Sequence, residues 1–443
     1  MRVNIIYEIN NREYNNCVLL QRELIRRGHK AYVYNKTEDI VFRDEKAITI
    51  IPNSYCNKDV LHYRYIFNTK NNPVIMYPCE QINNHKMPQF FDYSEKSIVK
   101  KLPIMCWGKD YYDFIHSIGF KNKDNQIVGA IQLDFCRTEF RKLYLSREEL
   151  SKKYNLPYEK KWVLFISDFV YTSELIVNHL LETGDSPQIE LLQRAKFSND
   201  SYEKILEWFY KLLEDNEEYV IIYRKHPVEM ITNDLKDKFQ NMKDKFFVIS
   251  DLNIKEWIVN CDIITTWNST AVVESYMAQK NVQLLRPYDF STCEYQDEYT
   301  FYKNYKKYTS YEQFCDAISN NENNYSTEVI REINKFYDVS EKPSYMRLAD
   351  EIEKIGEQKT DLKVEKNYYL KRWMYILKTI YIPKIIIKKI YQCLYLLVAK
   401  DRYQQKERKI ATEEWAASAL NRKGKKLLDR KIDSIIRQRE EKE

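Results

Sequence analysis

The sequence predicts an α/β protein: two Rossmann-like domains of similar size facing a cleft, followed by a basic helical C-terminal appendage. Three observations predict it. Short apolar runs that read as strands alternate with helical patterns along most of the chain, the signature of βαβ units and parallel sheets. A charged stretch near the middle, Arg137–Glu159, is broken at Tyr154-Asn155-Leu156-Pro157 and reads as the crossing between domains. Past the alternation, residues 366–400 carry eight Lys or Arg and no Asp or Glu.

In the first half, Val3–Tyr7 reads as a strand and Cys17–Arg27 as an amphipathic helix closed by Gly28 at its C-cap. Ala31–Tyr34, Ala47–Ile51 and Val74–Tyr77 are further strands, the last running into Pro78-Cys79-Glu80. Ile104–Trp107, Gly108 and a helical Asp110–Ile118 make another unit, and Ile127–Ala130 is the last strand of this half. Trp162–Ile166 opens the second half. Ser201–Leu213 is a helix, Tyr219–Tyr223 a buried strand, Phe246–Ile249 a strand, Ile254–Asn260 a helix, Asp262–Thr266 a strand, Ala271–Ala278 a helix and Val282–Leu285 a final strand. Residues 295–350 read as helical and Tyr-rich, packing back on the first domain. The expected division is 1–150, 151–350 and a basic tail, 351–443.

With 443 residues, 44% of them hydrophobic, the chain can bury a sizeable core and is not globally disordered. The net charge of +6 is concentrated in the C-terminal part, which points to an anionic partner for that part only. Nine Cys occur without a CxxC pair and read as free thiols of a reducing compartment. The opening MRVNIIYEINNREYNN turns polar too soon for a signal peptide. No stretch approaches the ~18 uncharged apolar residues of a spanning helix. The expected location is therefore cytoplasmic, peripheral on the inner face of the cytoplasmic membrane. Seven Gly, with neither a P-loop nor a GxGxxG, argue against dinucleotide chemistry.

Two strand ends carry the chemistry. Val220–Pro227, VIIYRKHP, ends a buried strand in Arg224, Lys225, His226 and Pro227. Asp262–Glu274, DIITTWNSTAVVE, ends another at Ser269 and Thr270. Open α/β sheets bind ligands at this carboxyl edge. A His, two cations and hydroxyls at a helix start suit a phosphate, and Pro227 fixes the turn. Glu274 lies one helical turn beyond Thr270, where a carboxylate accepts from two ribose hydroxyls. The plainer readings, a solvated surface His and a simple helix cap, stay open. Val163–Asp168 ends in Ser167 and Asp168. Pro78–Glu80 and Ile131–Asp134 are corresponding loop ends in the first half, so Glu80, Asp134 and Asp168 are the candidate catalytic carboxylates. No Asp-x-Asp triplet occurs. No metal and no cofactor are expected, with cations and a helix dipole neutralising a leaving phosphate instead.

YRKHPVE (Tyr223–Glu229) resembles the Arg-His-Pro-x-Glu element of bacterial surface and capsular carbohydrate biosynthesis proteins of GT-B type. NSTAVVES (Asn268–Ser275) is similar to their Ser-Thr-x-x-x-Glu element, and VLFISDF (Val163–Phe169) to the strand opening their second domain. VGAIQLDF (Val128–Phe135) is similar to a Gly-Asn-Pro-Arg-x-Asp element, and MYPCEQ (Met76–Gln81) lies where an acidic pair occurs. The same pairing of motifs is found in sialyl- and Kdo-transferases and in CDP-glycerol glycerophosphotransferases.

The resemblance implies a GT-B, metal-independent glycosyltransferase. It would move a sugar from a nucleotide-sugar donor, CMP-linked, to a surface or capsular polysaccharide or a lipid-linked acceptor. His226, Ser269 and Thr270 would hold the donor phosphate and Glu274 the ribose. Glu80 or Asp134 would act as acid, base or nucleophile. The sequence departs from the pattern at Ala130-Ile131-Gln132 and at Cys79. A polyol-phosphate transferase with a CDP-glycerol-like donor, and a non-catalytic scaffold of the same pathway, therefore stay open. The alternation of elements alone also suits an epimerase or a two-lobed binding protein.

In the tail, Trp373, Tyr375, Ile376, Ile380 and Tyr381 interleave with Arg372, Lys378 and Lys384, while Ile385–Ile387 and Leu394–Val398 are strongly apolar. Such a stretch lies on an anionic membrane surface or packs on the body with its basic face solvated. No nucleic-acid partner is expected, since no RNA-binding module is recognisable.

Overall fold

The structure, a computed structural model, describes residues 1–37, 39–42, 46–70, 72–82, 91–92, 94, 97–183, 188–226, 229–230, 233–251, 253–288, 302–357, 367–380 and 422–440. They form two compact units. One comprises Met1–Asp134 with the described residues from Asn334 onward, the other Phe135–Ile333.

The first unit begins with β1 (Arg2–Tyr7), α1 (Asn10–Arg26), β2 (Lys30–Asn35), β3 (Ile48–Ile51), α2 (Asn57–Ile66) and β4 (Val74–Met76). Continuous apolar runs such as Val-Ile-Met in β4 are what a parallel strand covered on both faces requires. The sheet is parallel with order β2-β1-β3-β4. A two-stranded parallel pair follows, β5 (Met105–Cys106) and β6 (Gln126–Ile127), with α3 (Lys109–Ser117) between them and α4 (Ile131–Asp134) after. A bridge from Met76 to Ile104 joins the two sheets. Gly28 takes φ +84° just past α1, the left-handed turn that ends a helix at low steric cost. The core gathers Ile51, Tyr63, Phe67, Met76, Tyr111 and Phe120.

The second unit contains α5 (Arg147–Tyr154), β7 (Lys161–Ile166), α6 (Glu174–Thr183), α7 (Gln188–Asp215), β8 (Tyr219–Arg224), α8 (Asn233–Lys238), β9 (Phe246–Ile249), α9 (Ile254–Asn260), β10 (Ile263–Thr266), α10 (Ala271–Met277), β11 (Val282–Leu285), β12 (Lys307–Tyr308) and α11 (Tyr311–Asn320). Its strands are parallel in the order β12-β11-β10-β7-β8-β9. That is the doubly wound Rossmann order, with chain direction across the sheet reversing between β7 and β10. The core lies between sheet and helices around Phe165, Phe209, Tyr223, Trp267 and Phe314.

α12 (Thr327–Tyr337) runs across the division of the chain, and α13 (Ser344–Gly356), α14 (Tyr368–Ile380) and α15 (Arg422–Glu440) belong to the first unit. Arg27 in the first unit holds α13 through Asp350 at 2.8 Å and Glu353 at 2.7 Å. Arg22 pairs with Asp433 of α15 at 3.2 Å.

Several elements differ from expectation. Val282–Leu285 is not the last strand, because β12 adds to the sheet beside it. The helix expected at Ser201–Leu213 spans Gln188–Asp215. The division falls at Asp134/Phe135 instead of near residue 150. Long-range bonds decide this: Arg147 donates to Asp262 at 2.8 Å and the Leu145 N–H to Glu256 at 2.7 Å, so α5 belongs to the second unit. Residues 381–400 of the basic tail lie outside the described residues.

Candidate functional site

Four strands of the second unit end in polar side chains at the carboxyl edge. β7 delivers Ser167 and Asp168, β8 delivers Arg224, Lys225 and His226, β10 delivers Asn268, Ser269 and Thr270, and β11 delivers Arg286. Pro227 lies outside the described residues.

After β8 the turn is organised by a residue the sequence reading left without a role. Glu229 is buried, and its carboxylate accepts the Tyr223 hydroxyl at 2.5 Å and the His226 backbone N–H at 2.9 Å. Its own N–H donates to the His226 carbonyl at 2.9 Å, and Lys225 Nζ donates to its carbonyl at 3.2 Å. The Tyr223 hydroxyl also meets Ser167 Oγ at 2.9 Å, which ties the turn to the end of β7. Burial raises the Glu229 carboxyl above the usual carboxylate range, against the hydrogen bonds it accepts. Burial, reinforced by Lys225 and Arg224, pushes the His226 imidazole down to about 4. His226 is therefore neutral at pH 7, a hydrogen-bonding group and not a third cation. Arg224 donates to the Ile249 carbonyl at 3.3 Å, and burial lowers its guanidinium pKa.

The turn after β10 is held differently from expectation. Thr270 has helical backbone angles and makes no side-chain cap bond. Ser269 Oγ accepts from the Ala271 N–H at 3.3 Å. The buried hydroxyl of Tyr302 accepts from the Ser269 N–H at 3.1 Å and donates to the Ser269 carbonyl at 2.5 Å, gripping that residue's backbone from both sides. Glu274 lies 3.5 Å from Lys255 Nζ with both side chains mostly covered, so its expected ribose contact competes with this ion pair.

Between the two turns runs a polar chain. Asn268 Nδ2 donates to Asp168 Oδ2 at 3.4 Å, and Arg286 Nη2 donates to Asn268 Oδ1 at 3.3 Å. Asn268 thus spans the place where the sheet reverses direction, joining β7 to β11. Arg286 is 2% exposed. Its guanidinium carbon lies 5.5 Å from the ring centres of both Trp267 and Tyr302, a separation at which an aromatic face attracts a cation. Arg286 and Tyr302 have no place in the sequence motifs, and Asn268 stands there only as the first residue of NSTAVVES. Arg286 follows the strand run Val-Gln-Leu-Leu as Arg224 ends its own strand, and that signal was available; Tyr302, one of many tyrosines, had none.

The first-unit candidates lie apart in kind. Glu80 is exposed and forms an ion pair with Arg12. Arg12 also reaches Glu13, at 2.9 Å. Glu13 is the buried acid here, accepting the backbone N–H of Glu8 at 2.7 Å and of Ile9 at 3.3 Å, which caps α1. Asp134 is buried and accepts the Ser344 N–H at 3.1 Å and the Tyr345 N–H at 3.0 Å, which caps α13. The Cys79 thiol is pushed well up by burial. Among the described residues no group of three or more His, Cys, Asp or Glu is gathered as a metal site.

No family model matches the chain, and no curated protein matches its sequence. Solved structures do align with it. The wall teichoic acid polymerase TagF matches with a TM-score of 0.45 and 12% identity over 80% of this chain and 89% of that one. A putative UDP-N-acetylglucosamine 2-epimerase from Listeria monocytogenes matches with a TM-score of 0.48 and 9% identity over 82% and 99%. WaaG, a glycosyltransferase involved in lipopolysaccharide biosynthesis, matches with a TM-score of 0.42 and 12% identity over 79% and 99%.

Proposed function

We propose that the second unit binds the phosphate of a nucleotide-activated sugar and that the protein is a glycosyltransferase of GT-B type acting in bacterial surface-carbohydrate assembly. One observation carries this reading. Asp168, Asn268 and Arg286 are linked across the point where a doubly wound sheet reverses, with His226 on the adjoining strand end, and such a point is where these sheets take ligands.

The proposed chemistry follows from the residue types. Arg286 and Lys225 supply positive charge to phosphate oxygens. Neutral His226 donates one N–H to the same group, and the Ser269 and Thr270 hydroxyls complete the cradle. In transfer, an acceptor hydroxyl attacks the anomeric carbon and gives its proton to a carboxylate. The bond from that carbon to the phosphate oxygen breaks, and the nucleotide leaves with the electron pair, its growing charge met by the cations. Asp134 is already engaged in capping α13, so Glu80 and Asp168 stay as the proposed carboxylates. The proposed donor is a CMP-sugar, and no metal is assigned a role.

A thermal-shift panel of CMP, CDP, UDP and GDP tests the donor site. The reading expects a cytidine nucleotide to raise the unfolding temperature more than the others. If none of the four raises it, the reading fails. Incubation with CDP-glycerol against CMP-sugars, followed by product analysis, separates sugar transfer from polyol-phosphate transfer.

A further inference from the structure

We propose that the outer face of α14 is a seat for an anionic lipid bilayer surface. This inference is independent of the donor site. α14 docks on the first unit through an unusual face. Tyr368 donates to the Arg64 carbonyl at 2.7 Å, Arg372 donates to the carbonyls of Tyr65 at 2.7 Å and Val41 at 2.6 Å, and Tyr375 meets His62 Nδ1 at 3.1 Å. Ile376 enters the core beside them. The guanidinium is thus on the buried side of the helix.

The solvent side is the apolar one. Leu370 is 61% exposed, Trp373 52%, Met374 62% and Leu377 52%. These positions are three or four apart, so the side chains lie one above another as a single stripe. A surface helix ordinarily shows the reverse arrangement. Isolated exposed apolar residues are commonplace, whereas a contiguous stripe marks an interaction surface.

The surrounding charge identifies the occupant. Tyr369 begins the stripe with Lys70 Nζ donating to its hydroxyl at 2.9 Å, and the exposed Lys371 flanks it. Residues 366–400 supply eight cations and no carboxylate. Trp and Tyr with Leu and Met, beside Lys70 and Lys371, form the composition that settles at the boundary between acyl chains and anionic headgroups. Among the described residues no helix is long and apolar enough to cross a membrane, so the contact is one of lying on the surface.

Full-length protein sedimented with vesicles of phosphatidylcholine alone, or with about one-third phosphatidylglycerol, tests this. The expected result is binding to the phosphatidylglycerol vesicles, weaker at high salt, and at least about tenfold weaker for Leu370→Asp/Trp373→Asp. Because both side chains are exposed, that variant should keep the parent's unfolding temperature, which shows that the loss is not misfolding. The proposal is overturned if the phosphatidylglycerol vesicles are not bound, if neutral vesicles bind equally well, or if the double variant binds like the parent. It is also overturned if the stripe instead mediates self-association, seen as an oligomer that the double variant abolishes without any change in vesicle binding.

Discussion

The Tyr223 hydroxyl donates across 2.5 Å to Oε1 of Glu229. Both residues are buried, and the second oxygen of the same carboxylate accepts the backbone N–H of His226. This pair converts a strand end into a fixed turn. Glu229→Ala leaves the Tyr223 hydroxyl and the His226 N–H short of an acceptor, with an expected loss of about 1–3 kcal/mol. Denaturant unfolding measures it, and Glu229→Gln should recover part. A variant as stable as the parent would show that the carboxylate does not hold the turn.

His226 gives a pH prediction. Its folded pKa of about 4 lies below that of an unfolded His. Between those values the unfolded chain binds the extra proton, so stability must fall as pH drops through this window and be fully restored above it. The buried Glu229, with its raised pKa, acts in the opposite sense, so the two must be separated by difference. Comparing parent with His226→Asn, the parent should show an additional loss of about 1–3 kcal/mol between pH 6.5 and 4. Parallel stability curves would contradict the burial of the ring.

The two acids of the first unit should behave differently. Asp134→Ala removes the cap of α13 and should lower stability by about 1–2 kcal/mol. Exposed Glu80 should tolerate Glu80→Gln with no change in stability or nucleotide affinity, but with turnover lost. Unfolding curves alongside a turnover assay check both. Glu80→Gln with full turnover would remove it from the chemistry.

Turnover should be unchanged by a chelator such as EDTA, since the proposal neutralises the leaving group with side chains. Loss of turnover on chelation, restored by a divalent ion, would contradict that part.

Much of the fold was legible because its central strands are buried on both faces and therefore largely apolar. β7, β8, β10 and β11 all announce themselves this way. β12 did not, because two residues, Lys307-Tyr308, carry no period. The crossing near residue 150 was misplaced for a different reason. The Arg147–Asp262 and Leu145–Glu256 contacts that fix α5 join residues more than a hundred apart. The same holds for Asp134, whose role rests on amides at Ser344 and Tyr345. The gathering of polar residues at a strand end was legible where a motif packs them together, as at Arg224–His226. It was illegible where the partners come from separate strands: Asp168 and Asn268 stand in motifs the sequence displays, but their link to each other and to Arg286 does not show there.

That convergence is the centre of the account, and calorimetric titration of CDP into the full chain tests it most directly. The parent should bind, and Arg286→Ala, shown to be folded by its unfolding temperature, should bind at least about tenfold more weakly, with Arg286→Lys between them. A folded Arg286→Ala that binds CDP as tightly as the parent, or a parent that binds neither CDP nor CMP, would contradict it.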